Sequence, residues 1–334
     1  MYSDITSAQF QLEEPHVQFK EPHAGRFAPS PTGDFHLGNL RTAILAWAFA
    51  RHAGLDFLIR MEDLDERSRP QYVTRQLHDL EEIGITWDGP VIYQSRRMPI
   101  YAEIFTDMMR QGLLYECYCT RKELAAVTSA PHRPPGSYPG TCRDLTDRER
   151  DAGRAKLASM DRGPAMRLRT DGHDLTVVDE LAGPYTGAVD DLVIRRGDGV
   201  YSYNFVSVVD DALQGIAQVV RGDDLLPSTP RQVYLQRLLA APTPKYIHVP
   251  LALNTRKVRL AKRDGAVTLR ALRECGWSSG DVVELIGQSL GILGARRAGD
   301  IETHLEAAKL ACGPWIVDTA LLEKGPRTIL RESE

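Results

Sequence analysis

The segment Arg26-Phe-Ala-Pro-Ser-Pro-Thr-Gly-Asp-Phe-His-Leu-Gly-Asn39 joins a short apolar strand, expected at 26–28, to a helix expected at 40–52. Proline fixes φ and glycine admits φ above zero, so Pro29 to Gly33 forms a stiff, sharply placed turn. A strand–turn–helix connection of this kind gathers the first N–H groups of the helix, a favourable place for phosphate. On His36 alone, an ordinary βα turn with an incidental histidine is the simpler reading.

The surrounding pattern extends this start. Asp56-Phe-Leu-Ile-Arg-Met61 is a compact apolar run suited to a buried strand of a parallel sheet. It ends in Glu62-Asp-Leu-Asp65, carboxylates placed where ligands meet the carboxyl edge of such sheets. Helical spacing follows at 71–83 and, beyond the Trp87-Asp-Gly-Pro90 turn, at 99–111. Strand and helix in alternation predict a doubly wound α/β domain. The alternation breaks at 113–119, read as a strand with two cysteines, then a helix from Thr120 and a proline-rich loop at 131–140. Strands are expected near Val177, at 193–194 and at 200–209, with turns at Gly197 and Gly199. The second half of the domain returns with 205–211 and 218–224, a helix at 229–239 with proline in its first turn, and a strand at 246–253. Helices are expected at 267–275, at 279–290 and in parts of 301–322. The expected organisation is a tail (1–22), a first half-domain (23–112), an insertion (113–190), a second half-domain (191–264) and a short helical C-terminal region (265–334).

The chain has 334 residues, 43% hydrophobic and 26% charged, with a formal net charge of −4, the profile of a soluble globular protein. No window is apolar for long enough to span a membrane, and residues 1–21 lack the apolar core of a signal peptide, so a cytoplasmic protein is expected. The weak negative charge argues against a protein coated in nucleic acid but leaves room for local RNA contacts. Five cysteines, three of them close together at 117, 119 and 142, fit a reduced protein with a metal site better than a disulfide framework. Three thiolates can supply three corners of a tetrahedral zinc site, with Tyr138 or His132 as the fourth; composition alone favours His132 or water. Three buried free thiols are the plainer alternative. The run Asn254-Thr-Arg-Lys-Val-Arg-Leu-Ala-Lys-Arg263 has five basic residues among the eight from 256 to 263, which by itself reads as a solvated basic loop.

Together these motifs resemble a known family. Pro29-Ser-Pro-Thr-Gly33 with His36-Leu-Gly-Asn39 resembles the first signature of class I aminoacyl-tRNA synthetases in its glutamyl form. Leu251-Ala-Leu-Asn254 ahead of Arg259-Leu-Ala-Lys-Arg263 resembles the second. The resemblance spans roughly 25–265 and implies a class I, Rossmann-like α/β fold, with ATP and Mg2+ as co-substrate. It implies His36, Gly38, Asn39 and Lys262 at ATP, with His36 and Lys262 as the catalytic pair. For L-glutamate it implies Arg26, Phe27, Ala28, Pro29, Ser30, Glu62, Tyr203 and Arg221, with Glu62 facing the ammonium while arginine and tyrosine read the side-chain carboxylate. Three positions depart from the pattern: Asn39 stands for a second histidine, Arg259 for lysine and Ala261 for serine.

Tyr138-Pro-Gly-Thr-Cys-Arg143 is similar to a tract found in one subfamily beside a Cys-x-Cys pair, which implies a structural Zn2+, one per chain, held by Cys117, Cys119, Tyr138 and Cys142. With Ser228-Thr-Pro-Arg-Gln232, and with only about seventy residues after Lys262, too few for an anticodon-binding module, the chain resembles the glutamyl-queuosine branch. Its members activate glutamate without tRNA and transfer it to the queuosine base in the anticodon of tRNA(Asp). A monomer is expected, with Arg143, Arg154, Lys156, Arg167 and Arg169 as RNA phosphate contacts or merely as a solvated face. The alternatives are a truncated glutamyl-tRNA synthetase charging a 3′ end, a non-catalytic RNA-binding paralogue, and another nucleotidyltransferase with a similar loop.

Overall fold

The computed structural model describes residues 18–120, 122–124, 138–260, 265, 267–306, 310 and 313–330. Lys262, Ala261 and His132, and most of the helix expected after Thr120, lie outside the described residues.

A seven-stranded sheet organises the chain. Strands β1 (Ala24–Phe27), β2 (Asp56–Met61) and β3 (Ile92–Tyr93) come from the first half, and β9 (Ile216–Gly222) and β10 (Lys245–Val249) from the second. Their order is β3-β2-β1-β9-β10, all parallel, so the two halves of the chain meet between β1 and β9. In an open parallel sheet that junction, where the strand order reverses, is where ligands bind beyond the carboxyl ends.

Helix α1 (Leu37–His52) follows β1 and is buried along most of its length. Helices α2 (Pro70–Glu82) and α3 (Met98–Arg110) each start with proline in the first turn, where the missing N–H costs least. The largest core packs α1 against β1, β2 and β10, and also against α7 (Leu269–Glu274), α8 (Ser279–Gln288) and α9 (Ala298–His304). A second core joins α3, α5 (Tyr203–Gln214) and α6 (Thr229–Leu238) to the antiparallel strands β4 (Leu114–Cys117), β5 (Ala165–Leu168) and β8 (Val193–Arg195). Helix α4 (Asp147–Ala158) precedes β5 and opens with a capping box between Thr146 and Glu149.

Several expectations differ from what the chain does. The valine-rich 200–209 segment, read as a strand, lies mostly in helix α5. Phe205 to Val209 are all buried and the β-branched residues mimic a strand, while the polar stripe at helical spacing, Asn204, Ser207, Asp211 and Gln214, turns inward to bond Gln232, Glu62 and Arg60. The expected strand at 246–253 divides at Pro250: β10 belongs to the central sheet, and β11 (Ala252–Asn254) to a separate pair. Its partner β12 (Trp315–Val317) is a strand inside the region expected to be helical; two short helices, α10 (Thr319–Leu322) and α11 (Pro326–Ile329), follow it. The hairpin β6 (Asp174–Asp179) and β7 (Gly183–Ala188) lies within 113–190, yet β6 hydrogen-bonds to β10 and extends the central sheet. No helix among the described residues is long and apolar enough to cross a membrane.

Gly25 sets how closely α1 lies on β1. A Cβ there would stand 2.7 Å from the Ala50 Cβ of α1, inside van der Waals contact. Gly25→Ala is expected to lower the unfolding free energy by about 1–3 kcal/mol through overpacking, measured by urea denaturation; unchanged stability would mean that the helix is free to shift.

Candidate active site

The turn after β1 is fixed from two sides. The Glu62 amide donates to the Pro29 carbonyl at 2.9 Å, tying the turn to the end of β2. From α2, the buried Gln76 donates through Nε2 to the carbonyls of Gly33 at 2.7 Å and Ser30 at 3.2 Å. Phe27 and Pro29 are buried, Ala28 is half-buried and Ser30 is exposed at the turn.

Behind this turn is a buried ionic cluster. Arg60 of β2, completely buried, donates to Asp211 at 2.7 Å and to Glu62 at 3.4 Å, and lies 3.8 Å from Asp210. Arg26 of β1 donates from Nε to the same Asp211 oxygen at 3.3 Å and from Nη1 to the Val220 carbonyl of β9 at 3.5 Å. Asp210 is further held by Arg97 at 2.6 Å, Tyr101 at 2.7 Å and Gln94 at 3.0 Å. Burial alone would weaken the hold of Arg60 on its proton, but Asp211, Asp210 and Glu62 together raise its pKa. Burial likewise favours a neutral Asp211, yet Arg60 and Arg26 outweigh it and leave that carboxyl below the usual range. At Glu62 burial wins, pushing the carboxyl up against the pull of Arg60 and Arg26.

The cluster leaves two groups for a ligand. Both side-chain donors to Glu62, Arg60 and Ser207, reach Oε1, and Oε2 has no protein donor among the described residues. Nη2 of Arg26 likewise has no protein acceptor among them. Neither Arg60 nor the Asp210–Asp211 pair is among the residues singled out from the sequence. Their only signal was a charge inside an apolar strand and an acidic pair at the end of a valine run.

Across the junction, Arg221 of β9 is 5% exposed and donates to Tyr203 Oη at 3.3 Å, Thr229 Oγ1 at 2.8 Å and His248 Nε2 at 3.0 Å. Arg26 and Arg221 therefore stand on neighbouring strands of the sheet, at the switch between its halves.

At the head of α1, His36 is the N-cap. Its Nδ1 accepts from the Asn39 amide at 3.3 Å, and Asn39 Oδ1 accepts from the His36 amide at 3.1 Å, a reciprocal capping box. An accepting Nδ1 places the imidazole proton on Nε2. The Leu37 amide is taken by the Val267 carbonyl at 2.8 Å, so part of the expected amide cradle is used inside the chain. A Cβ on Gly38 would lie 3.0 Å from the His36 ring and 3.3 Å from Ala252, so glycine here permits that ring to fold over the helix start.

The basic loop after β11 begins as a tight hairpin. Asn254 Oδ1 accepts from the amides of Arg256 and Val258, both at 3.0 Å, and Lys257 takes a left-handed φ of 59°. Leu260 is buried, and Arg259 pairs with Asp224 at 2.6 Å, so the chain is anchored immediately before Ala261.

At the end of β4, Cys117 meets Cys119 and Cys142, and the three sulfurs lie within 4.8 Å of one another. Cys119 and Cys142 Sγ are 3.6 Å apart, and Tyr138 Oη lies 3.4 Å from Cys117 Sγ. The Arg167 guanidinium stacks on the Tyr138 ring at 3.6 Å. Arg167 is thus buried, while the other basic candidates stay partly exposed and each pairs with a carboxylate: Arg143 with Asp191, Arg154 with Glu116, Lys156 with Glu123 and Arg169 with Asp144.

Removing Asp211 tests the ionic cluster. Asp211→Asn should cost about 3–5 kcal/mol at neutral pH, because Arg60 stays buried with one partner fewer. The depressed carboxyl of Asp211 contributes stability that is fully present above the ordinary aspartate pKa of about 3.9. That contribution is lost as pH falls through its lower folded value, so the variant should lose this part of the acid dependence. Urea denaturation across pH reads both effects, and a loss below about 1 kcal/mol would contradict the structural role.

Residues 24–300 match the family model described as tRNA synthetases class I (E and Q), catalytic domain. The chain is 54% identical to a Glutamyl-Q tRNA(Asp) synthetase of Nocardia farcinica over 301 residues, 90% of this chain and 95% of that protein. It is 45% identical to one of Symbiobacterium thermophilum, covering 78% of this chain and 84% of that protein. A solved glutamate tRNA ligase from Elizabethkingia meningosepticum, in complex with its amino acid, superposes with a TM-score of 0.73 at 25% identity, over 90% of this chain and 68% of that one. The parallel sheet with its β1/β9 switch is the class I synthetase fold, and the chain is an enzyme of the ligase type. It belongs to the glutamyl and glutaminyl class I tRNA synthetases, in the family of the glutamyl-Q tRNA(Asp) synthetases.

Proposed function

We propose that the chain activates L-glutamate with ATP to glutamyl-adenylate without tRNA, and then transfers glutamate to the queuosine base in the anticodon of tRNA(Asp). The observation that carries the first step is the juxtaposition of Arg26 and Glu62 with Arg221 and Tyr203 across one strand boundary. It offers two guanidinium forks and one acceptor to a ligand with two carboxylates and one ammonium.

In this reading Glu62 Oε2 takes the ammonium, Arg26 the α-carboxylate edge, and Arg221 with Tyr203 the side-chain carboxylate; Ser30 closes the pocket at the turn. The α-carboxylate attacks the α-phosphorus of ATP, the P–O bond to pyrophosphate breaks, and a mixed anhydride forms. Positioned donors dominate such a step. His36 supplies its Nε2–H, Gly38 and Asn39 shape the helix start beneath the nucleotide, and Lys262 neutralises the departing pyrophosphate. Mg2+ accompanies ATP. The buried Leu260 and the Arg259–Asp224 pair anchor the residues just before Lys262.

The cysteine cluster fits zinc. Tetrahedral bonds of about 2.3 Å to sulfur and 2.0 Å to oxygen separate two sulfurs by about 3.8 Å and sulfur from oxygen by about 3.5 Å. The spacings of 3.6 and 3.4 Å match. Cys117, Cys119, Tyr138 and Cys142 would close the metal's coordination and give it a structural role.

Transfer to queuosine is supported by the names of relatives that match nearly the whole chain. The expected outcomes are glutamate-dependent ATP–pyrophosphate exchange without tRNA, its loss by at least about 100-fold in Lys262→Ala, and labelling of queuosine-containing tRNA(Asp) even after removal of the 3′-terminal adenosine. No exchange from zinc-loaded protein would sink the activation step; label that requires the terminal adenosine would instead indicate 3′-end charging. Cys142→Ser should reduce zinc to well below one equivalent by elemental analysis.

A further inference from the structure

Arg221 of β9 stands directly opposite His248 of β10, and β6 reaches β10 beside it, where Tyr246 pairs with Asp179. All three polar residues, Arg221, His248 and Asp179, are at most 5% exposed. Asp179 accepts from the His248 main-chain N–H at 3.1 Å and holds its Nδ1 at 2.7 Å, so one carboxylate fixes both the backbone and the ring. Burial would raise the Asp179 pKa, but His248 and the Ala182 and Leu181 amides outweigh it, so the group is an ionised acceptor. The Nδ1 position therefore bears the proton, and Nε2 presents a lone pair. That lone pair accepts the Nε–H of Arg221 at 3.0 Å, while Thr229 Oγ1 takes one Nη2 hydrogen at 2.8 Å and Tyr203 Oη one from Nη1 at 3.3 Å. The Tyr246 ring lies nearly parallel to His248, at 12° and 6.0 Å between centroids. The guanidinium is thereby held along its Nε edge, and one hydrogen on each terminal nitrogen has no protein acceptor among the described residues.

We propose that His248 and Asp179 are positioning residues for the side-chain carboxylate of the substrate: Asp179 selects the Nδ1–H tautomer of His248, and His248 Nε2 sets the angle at which Arg221 presents its remaining N–H pair. This rests on Arg221 being the group that reads that carboxylate. A guanidinium fixed in one plane offers donors only, which suits two carboxylate oxygens and mismatches the NH2 group of glutamine's amide. An imidazolium at 248 would point a second N–H at the Arg221 Nε–H, donor against donor and cation against cation. The charged groups facing the ring are Asp179 from β6, Arg221 from β9 and Asp223 just beyond it. Burial, reinforced by Arg221, lowers the histidine pKa against the pull of Asp179, so the neutral ring persists through the neutral range.

Glutamate-dependent ATP–pyrophosphate exchange without tRNA, on the zinc-loaded full chain, tests this. His248→Phe keeps an aromatic ring but removes the acceptor. It is expected to raise the KM for glutamate about 10- to 100-fold, the effect of one lost hydrogen bond to a charged group, with the KM for ATP nearly unchanged. His248→Gln, whose amide oxygen can accept, should recover part of that loss, and Asp179→Asn should act like His248→Phe. In wild type the glutamate KM should rise on acidification below the ordinary histidine range, and His248→Gln should flatten that rise. Arg221→Ala is the control: an unchanged glutamate KM there refutes the reading of Arg221 itself. A raised KM in Arg221→Ala beside an unchanged one in folded His248→Phe overturns the positioning role, as does an equal rise for ATP and glutamate. Should His248→Phe not fold, Asp179→Asn and the wild-type pH profile decide the same question: a glutamate KM that neither of them moves overturns the positioning role.

Discussion

The buried cluster around Arg60 holds three guanidinium groups, Arg26, Arg60 and Arg97, against the carboxylates of Glu62, Asp210 and Asp211. Charges removed from water cost several kcal/mol each unless paired and hydrogen-bonded, so the cluster tolerates little rearrangement. Its members come from β1, β2, the start of α3 and the end of α5, which means that the two halves of the sheet are joined through it. The same groups belong to the proposed site: Arg26 and Glu62 each turn one edge to the cluster and leave another, Nη2 and Oε2, without a protein partner among the described residues. On that proposal stability and substrate placement are coupled, because a change at Asp211 reaches Arg26 directly.

A similar arrangement recurs across the switch. Arg221 is not an isolated cation at a strand end; it is backed by Thr229, Tyr203 and His248, and His248 by Asp179. The β6–β7 hairpin departs toward the antiparallel sheet in sequence but returns in space to supply Asp179. Each half of the parallel sheet therefore presents one arginine whose orientation is fixed by buried acceptors. A flexible ligand with two carboxylates is best held by groups that need not reorganise to meet it.

Much of this was legible in the sequence where local chemistry sets local structure. The Pro29–Gly33 turn, the strand at 56–61 and the proline-started helices follow from backbone restriction and apolar spacing. The candidate site residues came from the likeness of whole motifs to a family, since Arg26 and Arg221 sit inside strands and Tyr203 opens a helix, where no local signal marks them. What stayed hidden depends on partners distant in sequence. Val206, Val208 and Val209 look like a strand until burial on every side is known, and Trp315–Val317 becomes a strand only because β11 is there to pair with it. Arg60 reads as an anomaly in an apolar run, and only three-dimensional closure shows which carboxylates neutralise it. The basic residues at 143–169 carried two readings, RNA contact or solvated face, and their carboxylate partners, such as Asp191 for Arg143, lie too far along the chain to be read locally.

The most direct test of the β1/β9 switch as the amino-acid site is a crystal structure with a non-hydrolysable glutamyl-adenylate analogue. The ammonium should lie against Glu62, the side-chain carboxylate should meet Arg221 and Tyr203, and the adenosine should cover the His36–Asn39 helix start. An analogue bound elsewhere, or bound here with its side chain turned away from Arg221, would contradict that arrangement.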